Sequence, residues 1–422
     1  MRVHFTNLGC KLNQAEIERL ARDFAAAGHQ VVGSLAQADL HVVNSCTVTH
    51  VAARASRKAA GRARREEQGR RLRTVLTGCH ASERPEEAAR IAGVDLVVPN
   101  AGKDRLLARV HEAFPDLVPE ADPTAPAPCA SLPFGNTRAL VKVEDGCNMR
   151  CAFCIIPFTR GAQRSRPLPE VVAEVRGLVS RGYREAVVTG VQISAWRWEG
   201  LRLADLVRAL LAETCVPRLR LTSIAPWDLD ARLLDLWMDR RLCRHLHLSL
   251  QSGSTATLHR MRRPYTAESY LGLLDQVRAA VPGVAVTTDV IVGFPGETGA
   301  EFAASLATVE SAGFAKVHVF PYSPRPGTEA EGLPGQVGPQ EKKERMARML
   351  DAAARAERDF QSAHLGTRQT VLWERPKDGM GHGMTDTYLR VVSEAGAALW
   401  NRFSEVEMVE IGEDGMVGRI VG

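Results

Sequence analysis

The sequence predicts an α/β protein in three parts: an N-terminal parallel α/β domain, a partial (β/α) barrel and a small C-terminal antiparallel β-barrel. Strand and helix patterns alternate through the first third of the chain, and the alternation resumes after a Pro- and Ala-rich stretch. The last part instead has short strand patterns separated by Gly, Asp and Asn turns. The 422 residues suffice for two or three domains.

The N-terminal domain, expected at residues 1–115, has three strand patterns that each run into a turn ending in cysteine. The strands are expected at residues 3–8, 40–43 and 74–76, and the helices that follow them at residues 15–27, 51–65 and 85–91. The turns are Leu8-Gly9-Cys10, Asn44-Ser45-Cys46 and Thr77-Gly78-Cys79. Because the carboxyl ends of parallel strands share one edge of a sheet, we expect the three cysteines to converge. Three thiols without a fourth suit a 4Fe–4S cluster with one open iron, although buried cysteines are also common in cores.

Basic residues crowd the segment after Cys46. Opposed only by Glu66 and Glu67, they are Arg54, Arg57, Lys58, Arg62, Arg64, Arg65, Arg70, Arg71 and Arg73. Such clustering is typical of phosphate binding, whereas a charged helix face is often simply solvated. The net charge of the whole chain is only +5, so this segment stands out.

A Pro- and Ala-rich stretch at residues 116–137 is expected to be a linker. Cys129 lies within it and is interpreted as a bystander, because a flexible linker is a poor place to fix a metal. Cys215 and Cys243 have apolar neighbours and are interpreted as core thiols.

The second domain, expected at residues 138–337, opens with a C-x3-C-x2-C motif. Its thiols, Cys147, Cys151 and Cys154, have no fourth cysteine or histidine close by. Structural zinc sites use four ligands, so three thiolates suit a 4Fe–4S cluster whose fourth iron binds another molecule. The alternative is an incomplete zinc knuckle or three core thiols. The spacing, with Ile155-Ile156-Pro157-Phe158-Thr159-Arg160-Gly161 after it, resembles the radical-SAM superfamily, in which the open iron binds S-adenosylmethionine.

Six strands with intervening helices suggest that this domain is an open barrel. They are expected at residues 139–143, 186–189, 218–222, 245–249, 285–292 and 316–320. Active sites of such barrels lie at the carboxyl ends of the strands, where the cysteine motif also lies. By resemblance to radical-SAM barrels, the residues expected to bind S-adenosylmethionine follow these strands directly: Gly190, Ser223, Gln251 and Gly293. As isolated turns they would be a weak signal.

The C-terminal part consists of a connecting helix, expected at residues 338–365, and a small barrel at residues 366–422. Strands are expected at residues 369–374, 388–392, 406–411 and 416–421. The run from Gly381 to Val391, GHGMTDTYLRV, resembles TRAM domains, OB-like barrels associated with tRNA modification. His382 and Tyr388 could stack on bases or fill a turn and a core. The domain has six basic and nine acidic residues, unlike a generic RNA-binding surface.

The order of these features resembles the radical-SAM methylthiotransferases along nearly the whole chain. The resemblance implies two 4Fe–4S clusters, held by Cys10, Cys46 and Cys79 and by Cys147, Cys151 and Cys154. It also implies that one S-adenosylmethionine methylates sulfur at the first cluster. A second is reduced at the barrel cluster to the radical that abstracts the adenine C2 hydrogen. No catalytic residue beyond the cluster ligands is assigned, and Ala225 stands where the family usually has Glu.

Two segments resemble one branch of that family most closely, the branch that modifies N6-threonylcarbamoyladenosine at position 37, beside the anticodon of tRNA. They are Gly9-Cys10-Lys11-Leu12-Asn13-Gln14-Ala15-Glu16 and Asn44-Ser45-Cys46-Thr47-Val48-Thr49. The isopentenyladenosine branch tends to have Gln-Met after the first cysteine and Arg-Glu after the second, and a third branch modifies a ribosomal-protein aspartate. The partners implied are tRNA and an electron donor such as flavodoxin or ferredoxin.

Two other classes of protein remain as alternatives. One is a radical-SAM enzyme of different chemistry, in which the N-terminal cluster only transfers electrons. The other is an RNA-binding module, which would not need six iron-ligand cysteines. The chain shows no signal peptide and no apolar segment of membrane-spanning length, so we expect a cytoplasmic protein without a membrane partner. Its nine cysteines then indicate metal or redox chemistry rather than disulfides.

Overall fold

The computed structural model describes residues 1–64, 72–118, 137–394 and 397–421 and divides the chain into two compact units. The first comprises Met1–Gly135, Asp145–Met149 and Cys154–Arg164, and the second comprises Asn136–Glu144, Arg150–Phe153 and Ser165–Gly422. Most of the expected linker, with Cys129, lies outside the described residues. Within the described part, no helix is long and apolar enough to cross a membrane.

The first unit contains a parallel five-stranded sheet in the order β2-β1-β3-β4-β5. Its strands and helices are β1 (Arg2–Asn7), α1 (Lys11–Ala26), β2 (Gln30–Val31), β3 (Leu40–Ser45), α2 (His50–Ala60), β4 (Arg73–Gly78), α3 (Cys79–Glu83), α4 (Pro85–Ala89), β5 (Leu96–Val98) and α5 (Leu106–Ala113). The three expected strands are present. Two further strands, β2 and β5, are too short to show a period in the sequence.

Both faces of this sheet are covered. Val3, Val42 and Val75 pack with Phe24 of α1 and Leu106 of α5 on one face. Val43 and Leu76 pack with Ala59 and Ala60 of α2 on the other face. Strand β3 is buried along its whole length, as expected for a central strand covered on both faces, although it contains the polar residues His41, Asn44 and Ser45 beside its apolar ones. The helix expected to reach residue 65 ends earlier, at Ala60, where a short 3-10 turn begins.

The second unit contains two parallel sheets in the orders β12-β9-β6 and β13-β14-β15-β16. Their strands are β6 (Arg138–Lys142), β9 (Glu185–Thr189), β12 (Arg218–Leu221), β13 (Ser223–Ile224), β14 (His245–Leu248), β15 (Ala285–Val292) and β16 (Lys316–Pro321). Between the sheets, the Leu219 amide donates to the Arg241 carbonyl at 2.7 Å, and the Cys243 amide donates to the Leu219 carbonyl at 2.8 Å. The expected partial barrel is therefore present, with its third strand interrupted at Thr222.

Helices and short strands fill the connections of this barrel. They are β7 (Glu144–Asp145), α6 (Ile156–Arg160), β8 (Arg164–Ser165), α7 (Leu168–Ser180), β10 (Arg197–Trp198), β11 (Leu201–Arg202), α8 (Leu203–Glu213), α9 (Ala231–Leu234), α10 (Thr255–Arg260), α11 (Ala267–Ala280) and α12 (Gly299–Ser311). Of these, α6 belongs to the first unit, and β7 and β8 each have one residue in either unit. Cys243 is buried as expected, but Cys215 is exposed, because it lies in the turn between α8 and β12.

A long helix, α13 (Pro339–Ser362), leads to a closed five-stranded barrel in the order β17-β18-β19-β21-β20. The strands are β17 (Arg368–Trp373), β18 (Gly381–Thr385), β19 (Arg390–Ser393), β20 (Phe403–Gly412) and β21 (Gly415–Ile420). The barrel was expected to be antiparallel, but β19 and β21 pair in parallel. Five strands cannot alternate in direction all the way around a closed ring, so one parallel pair is unavoidable. Trp373, Val391 and Met408 lie in its core.

Buried arginines of the partial barrel bind the backbone of this small barrel within the second unit. The Arg220 guanidinium pairs with Glu185 at 2.7 Å and donates to the carbonyl oxygens of Thr385 at 2.9 Å and Asp386 at 3.0 Å. Arg218 donates to the carbonyl of Met384 at 2.9 Å. The Tyr388 ring stacks on His245 with centroids 4.5 Å apart, which favours the packing role over base stacking for Tyr388.

Candidate metal centres

Three strand-end thiols come together in the first unit. Cys10 precedes α1, Cys46 follows β3, and Cys79 begins α3. Burial raises the pKa of the Cys46 thiol to about 11, and the neighbouring Cys79 and Cys10 thiols add to this rise against an opposing hydrogen bond from the Val48 backbone. Asn7 pairs with Asn44 and Ser45 pairs with Gly78, so the three strands end side by side and the expected convergence at the sheet edge is present.

Glycines allow the close approach of the three turns. Gly9 has φ +105°, and a Cβ there would lie 2.8 Å from the Cys46 Cβ and 2.9 Å from its Sγ. Gly78 has φ +95°, and a Cβ there would lie 2.6 Å from the Asn44 Oδ1 and would overlap the Ser45 backbone. Only glycine adopts this backbone conformation readily and also fits where there is no room for a Cβ.

Asparagine side chains brace the same turns. The Asn13 Nδ2 donates to the carbonyl oxygens of Leu8 at 2.7 Å and Ser45 at 3.0 Å. The Asn44 Nδ2 donates to the Asn13 carbonyl at 2.8 Å. The Asn100 Nδ2 lies 3.8 Å from the Cys79 Sγ, a hydrogen bond to sulfur. Hydrogen bonds of this kind to cluster ligands tune iron–sulfur sites.

The donor set at this edge fits an iron–sulfur cluster. In the described part of the chain, no three Cys, His, Asp or Glu side chains are arranged around a position for a single ion. A four-iron cluster binds each thiolate through a different iron, so its ligands are spread more widely than those of one ion. Thiols that are protonated in the cluster-free protein release their protons when metal binds.

The second set of thiols lies in a loop without regular secondary structure. Cys147, Cys151 and Cys154 are each partly buried. In the first unit, the Cys147 amide donates to the Gly161 carbonyl at 3.1 Å, and the Met149 amide donates to the Cys147 Sγ at 3.4 Å.

Backbone contacts in the second unit fix the middle of this loop. The Ala152 amide donates to the Met261 carbonyl at 3.1 Å, and the Ala152 carbonyl accepts from the Ala330 amide at 2.8 Å. A loop held in this way, with three thiols in eight residues, fits a cluster that keeps one iron open.

The four residues expected to bind S-adenosylmethionine lie after neighbouring strands of the second unit. Gly190 follows β9, and a Cβ there would lie 2.8 Å from the Glu144 Oε2. Ser223 begins β13. Gln251 has φ +66°, and its amide donates to the Asp289 carbonyl at 2.8 Å. Gly293 has φ +71°, and its amide donates to the Glu297 Oε2 at 2.7 Å. The left-handed conformation is unusual at Gln251 and ordinary at Gly293, and both residues lie in turns at this edge.

Sequence reasoning missed a buried group of charges in the first unit. The Lys103 Nζ lies 2.6 Å from the Glu16 Oε2 and 3.1 Å from the Asn44 Oδ1. The Arg160 Nη1 lies 2.9 Å from both the Glu16 Oε1 and the Asp145 Oδ1. The sequence displays Arg160 in the run after the cysteine motif and Glu16 in the run after Cys10, but Lys103 lies in no pattern that marks a site.

Burial and pairing act oppositely on these groups. Burial lowers the pKa of Lys103, and Glu16 only partly compensates. Burial also opposes the charge of Arg160, but Glu16, Cys79 and Asp145 raise its pKa well above the ordinary value. Lys103 contacts Asn44 and Arg160 contacts Asn13, so both cations lie beside the asparagines that brace the strand-end cysteine turns.

The described part of the basic segment is a solvent-exposed face. Arg54, Arg57 and Lys58 are exposed on α2, and Arg62 is exposed just after it, whereas Ala53, Ser56, Ala59 and Ala60 of α2 are buried. Arg73 is half-buried at the start of β4. Arg65, Arg70, Arg71 and the side chain of Arg64 lie outside the described residues. The exposed cations are available for phosphate.

Comparison with known proteins matches both parts of the chain. The radical SAM superfamily model matches residues 141–309, and the model of uncharacterized protein family UPF0004 matches residues 2–99. The chain is 32% identical to the threonylcarbamoyladenosine tRNA methylthiotransferase MtaB of Bacillus subtilis, covering 99% of this chain and 97% of the relative. It is 35% identical to a tRNA-2-methylthio-N(6)-dimethylallyladenosine synthase of Novosphingobium aromaticivorans, covering 98% and 96%.

Among solved structures, the radical S-adenosylmethionine methyltransferase TsrM from Kitasatospora setae, with cobalamin and a [4Fe-4S] cluster bound, has a similar fold. Its TM-score is 0.59 at 16% identity, over 78% of this chain and 77% of that chain.

Proposed function

Since the chain belongs to the radical-SAM tRNA methylthiotransferases, we propose that it attaches a methylthio group to C2 of N6-threonylcarbamoyladenosine at position 37 of tRNA. The observation that carries the proposal is the presence of two separate sets of three cysteines, one at the strand ends of the first unit and one in the C-x3-C-x2-C loop. One set would suffice for making a radical, and the second provides a place for the sulfur.

Membership in the radical SAM superfamily implies a 4Fe–4S cluster and S-adenosylmethionine. Cys147, Cys151 and Cys154 would hold that cluster, which with S-adenosylmethionine supplies a radical able to take hydrogen from an unactivated C–H bond. Gly190, Ser223, Gln251 and Gly293 would bind S-adenosylmethionine through the turns at the barrel edge. Cys10, Cys46 and Cys79 would hold a second 4Fe–4S cluster, and each turnover would use two S-adenosylmethionine molecules.

The choice of nucleoside rests on the residues around Cys10 and Cys46. Relatives named for threonylcarbamoyladenosine and for dimethylallyladenosine have similar identity to this chain, so overall similarity does not separate the two substrates. The text Lys11-Leu12-Asn13 supports the threonylcarbamoyl branch. Asn13 braces the cysteine turns. Its effect on the choice of nucleoside would therefore come through the shape of the cysteine pocket rather than through direct contact with the base.

Mass spectrometry of tRNA nucleosides tests the substrate. Anaerobically reconstituted protein should methylthiolate tRNA that carries the threonylcarbamoyl group and should leave the same tRNA without that group unmodified. Product on isopentenyladenosine would contradict the nucleoside assignment, and a modified ribosomal-protein aspartate would contradict tRNA as the substrate.

Iron analysis tests the two-cluster part of the proposal. Reconstituted protein should hold about eight irons. Replacing Cys10, Cys46 and Cys79 by Ala should remove about four of them and should preserve reductive cleavage of S-adenosylmethionine. Replacing Cys147, Cys151 and Cys154 should abolish that cleavage. A single cluster in the intact protein would contradict the assignment.

A further inference from the structure

One buried guanidinium in the first unit contacts residues that flank two of the six cysteines, and it belongs to a residue that follows a third. The Arg160 Nη2 lies 2.5 Å from the Asn13 Oδ1, and Asn13 is three residues after Cys10. The Arg160 Nη1 lies 2.9 Å from Asp145, which is two residues before Cys147. Arg160 itself is six residues after Cys154.

A second contact from the same helix reaches the third strand-end turn. The Asn100 Nδ2 donates to the carbonyl of Thr159, next to Arg160, at 2.9 Å, and it also lies 3.8 Å from the Cys79 Sγ. Helix α6 therefore binds residues of the strand-end cysteine pocket from two adjacent positions.

Stability alone gives a weak reason for this arrangement. The side chain of Arg160 is 1% exposed, and that of Glu16 is 4% exposed. Taking such charges out of water costs several kcal/mol per ion, and apolar replacements of buried ion pairs are often neutral or stabilising. What a guanidinium adds is geometry, because its planar fork fixes several acceptors at once.

We propose that Arg160 is a positioning residue that holds both flanks of the C-x3-C-x2-C loop against the strand-end cysteine pocket, so that the radical is used for sulfur insertion. This inference rests on the proposed function of the two cysteine sets. It does not depend on which nucleoside is modified.

The consequence of losing Arg160 is uncoupling of the two half-reactions. S-adenosylmethionine should still be cleaved to 5′-deoxyadenosine, but fewer cleavages should end in a methylthio nucleoside. Small misplacements of reacting groups lower rates steeply, so the ratio of 5′-deoxyadenosine to methylthio product should rise about tenfold or more.

The variants should separate positioning from charge. Arg160→Gln alone removes a positive charge beside the strand-end pocket. Arg160→Gln with Asp145→Asn removes one charge of each sign and leaves the Lys103–Glu16 pair intact. Arg160→Lys keeps the charge but loses the planar fork. Arg164→Gln is the matched control, because Arg164 is exposed and lies 4.0 Å from the same Asp145.

The readouts include two that do not depend on activity. Iron content should stay at about eight per chain in all variants. The midpoint potential of the strand-end cluster, measured by EPR in protein whose Cys147, Cys151 and Cys154 are replaced, should fall in Arg160→Gln. A lost cation no longer stabilises the reduced form. In the charge-balanced pair the potential should stay near that of the parent protein while uncoupling persists.

Three results would overturn the inference. They are an unchanged product ratio in the charge-balanced pair, an equal change in Arg164→Gln, and loss of the strand-end irons in all three Arg160 variants, which would show a merely structural role. Arg160→Lys should restore the potential and only part of the coupling. The parent protein could modify a different nucleoside while the Arg160 variants uncouple its modification in the same way. The substrate assignment would then fail, and the role of Arg160 would stand.

Discussion

At the scale of single residues, Gly78 is the position where backbone conformation and space together make the strand-end site. Gly78→Ala places a Cβ against the Ser45 backbone and the Asn44 side chain at φ +95°, so the turn before Cys79 must shift. We expect about four of the irons to be lost, measured by iron analysis after anaerobic reconstitution, while 5′-deoxyadenosine formation continues.

Gly33→Ala is the matched control for this substitution. Gly33 lies in the same unit, is exposed, and has nothing within 4 Å of an added Cβ. Full iron content in Gly78→Ala would show that the turn adapts without affecting the cysteine pocket.

The residue scale also shows what the sequence could predict. Cys10, Cys46 and Cys79 are marked by one rule, a thiol at the carboxyl end of a parallel strand. Lys103 and Arg160 follow no local rule, because their shared partner Glu16 is 87 and 144 residues away. A charged residue in a sequence is expected at the surface, and only the folded chain shows that these are buried.

At the scale of elements, helix α2 is the described part of the basic segment that can bind phosphate. Replacing Arg54, Arg57 and Lys58, all exposed, by Glu should weaken tRNA binding and lower its log–log salt slope by roughly one per lost phosphate contact. Filter binding or fluorescence anisotropy over a salt series would measure this. Reductive cleavage without RNA should be unchanged.

The control for α2 is a matched charge reversal on α13. Lys343, Arg348 and Arg358 are likewise exposed on a helix, and their reversal removes the same total charge. Equal losses of tRNA binding in the two variants would indicate a general charge effect. An unchanged log–log salt slope in the α2 variant would show that the cations of α2 are solvated and do not contact phosphate. Deleting residues 366–422 is a poor comparison, because it uncovers the buried Arg218 and Arg220.

A helix or strand could be predicted where it was long enough to show a repeating pattern of apolar residues. The six barrel strands and α13 follow the sequence pattern, whereas two- and three-residue strands such as β2 and β5 leave none. The C-terminal barrel was expected to be antiparallel throughout. Its parallel pair follows from closing five strands into a ring, a property of the assembled sheet rather than of any strand.

At the scale of the whole molecule, the division of the chain differs from its division by sequence pattern. The sequence favours a boundary in the Pro- and Ala-rich stretch, yet Asp145–Met149 and Cys154–Arg164 belong to the first unit. Their attachment comes from Arg160 and Asn100, which contact residues distant in the sequence. The domain boundaries expected from the sequence stay a prediction, beside the two compact units into which the chain divides.

The buried Glu185–Arg220 pair joins two strands of the partial barrel and binds the backbone of the C-terminal barrel. Although burial opposes ionisation, Arg220 holds the pKa of Glu185 below its ordinary value of 4.5. The contribution of the ionised pair to the free energy of unfolding is therefore fully present at pH values above 4.5 and is lost as the pH falls below that value. Unfolding measured at pH 7.5 thus reports the intact pair.

Arg220→Met should destabilise the second unit by about 3–5 kcal/mol, because it leaves the Glu185 carboxylate buried without its main cation. Arg220→Met with Glu185→Gln should lose less, since no carboxylate is left buried without its main cation. The hydrogen bonds to Thr385 and Asp386 are missing, and Arg218 loses a carboxylate partner at 3.8 Å. Urea unfolding at pH 7.5 measures both, with Arg176→Met as the control, because Arg176 forms an exposed pair with Glu213. If the double variant were as unstable as the single one, the bonds to the small barrel would outweigh the stranded carboxylate. The guanidinium would then act chiefly as the anchor of the C-terminal barrel.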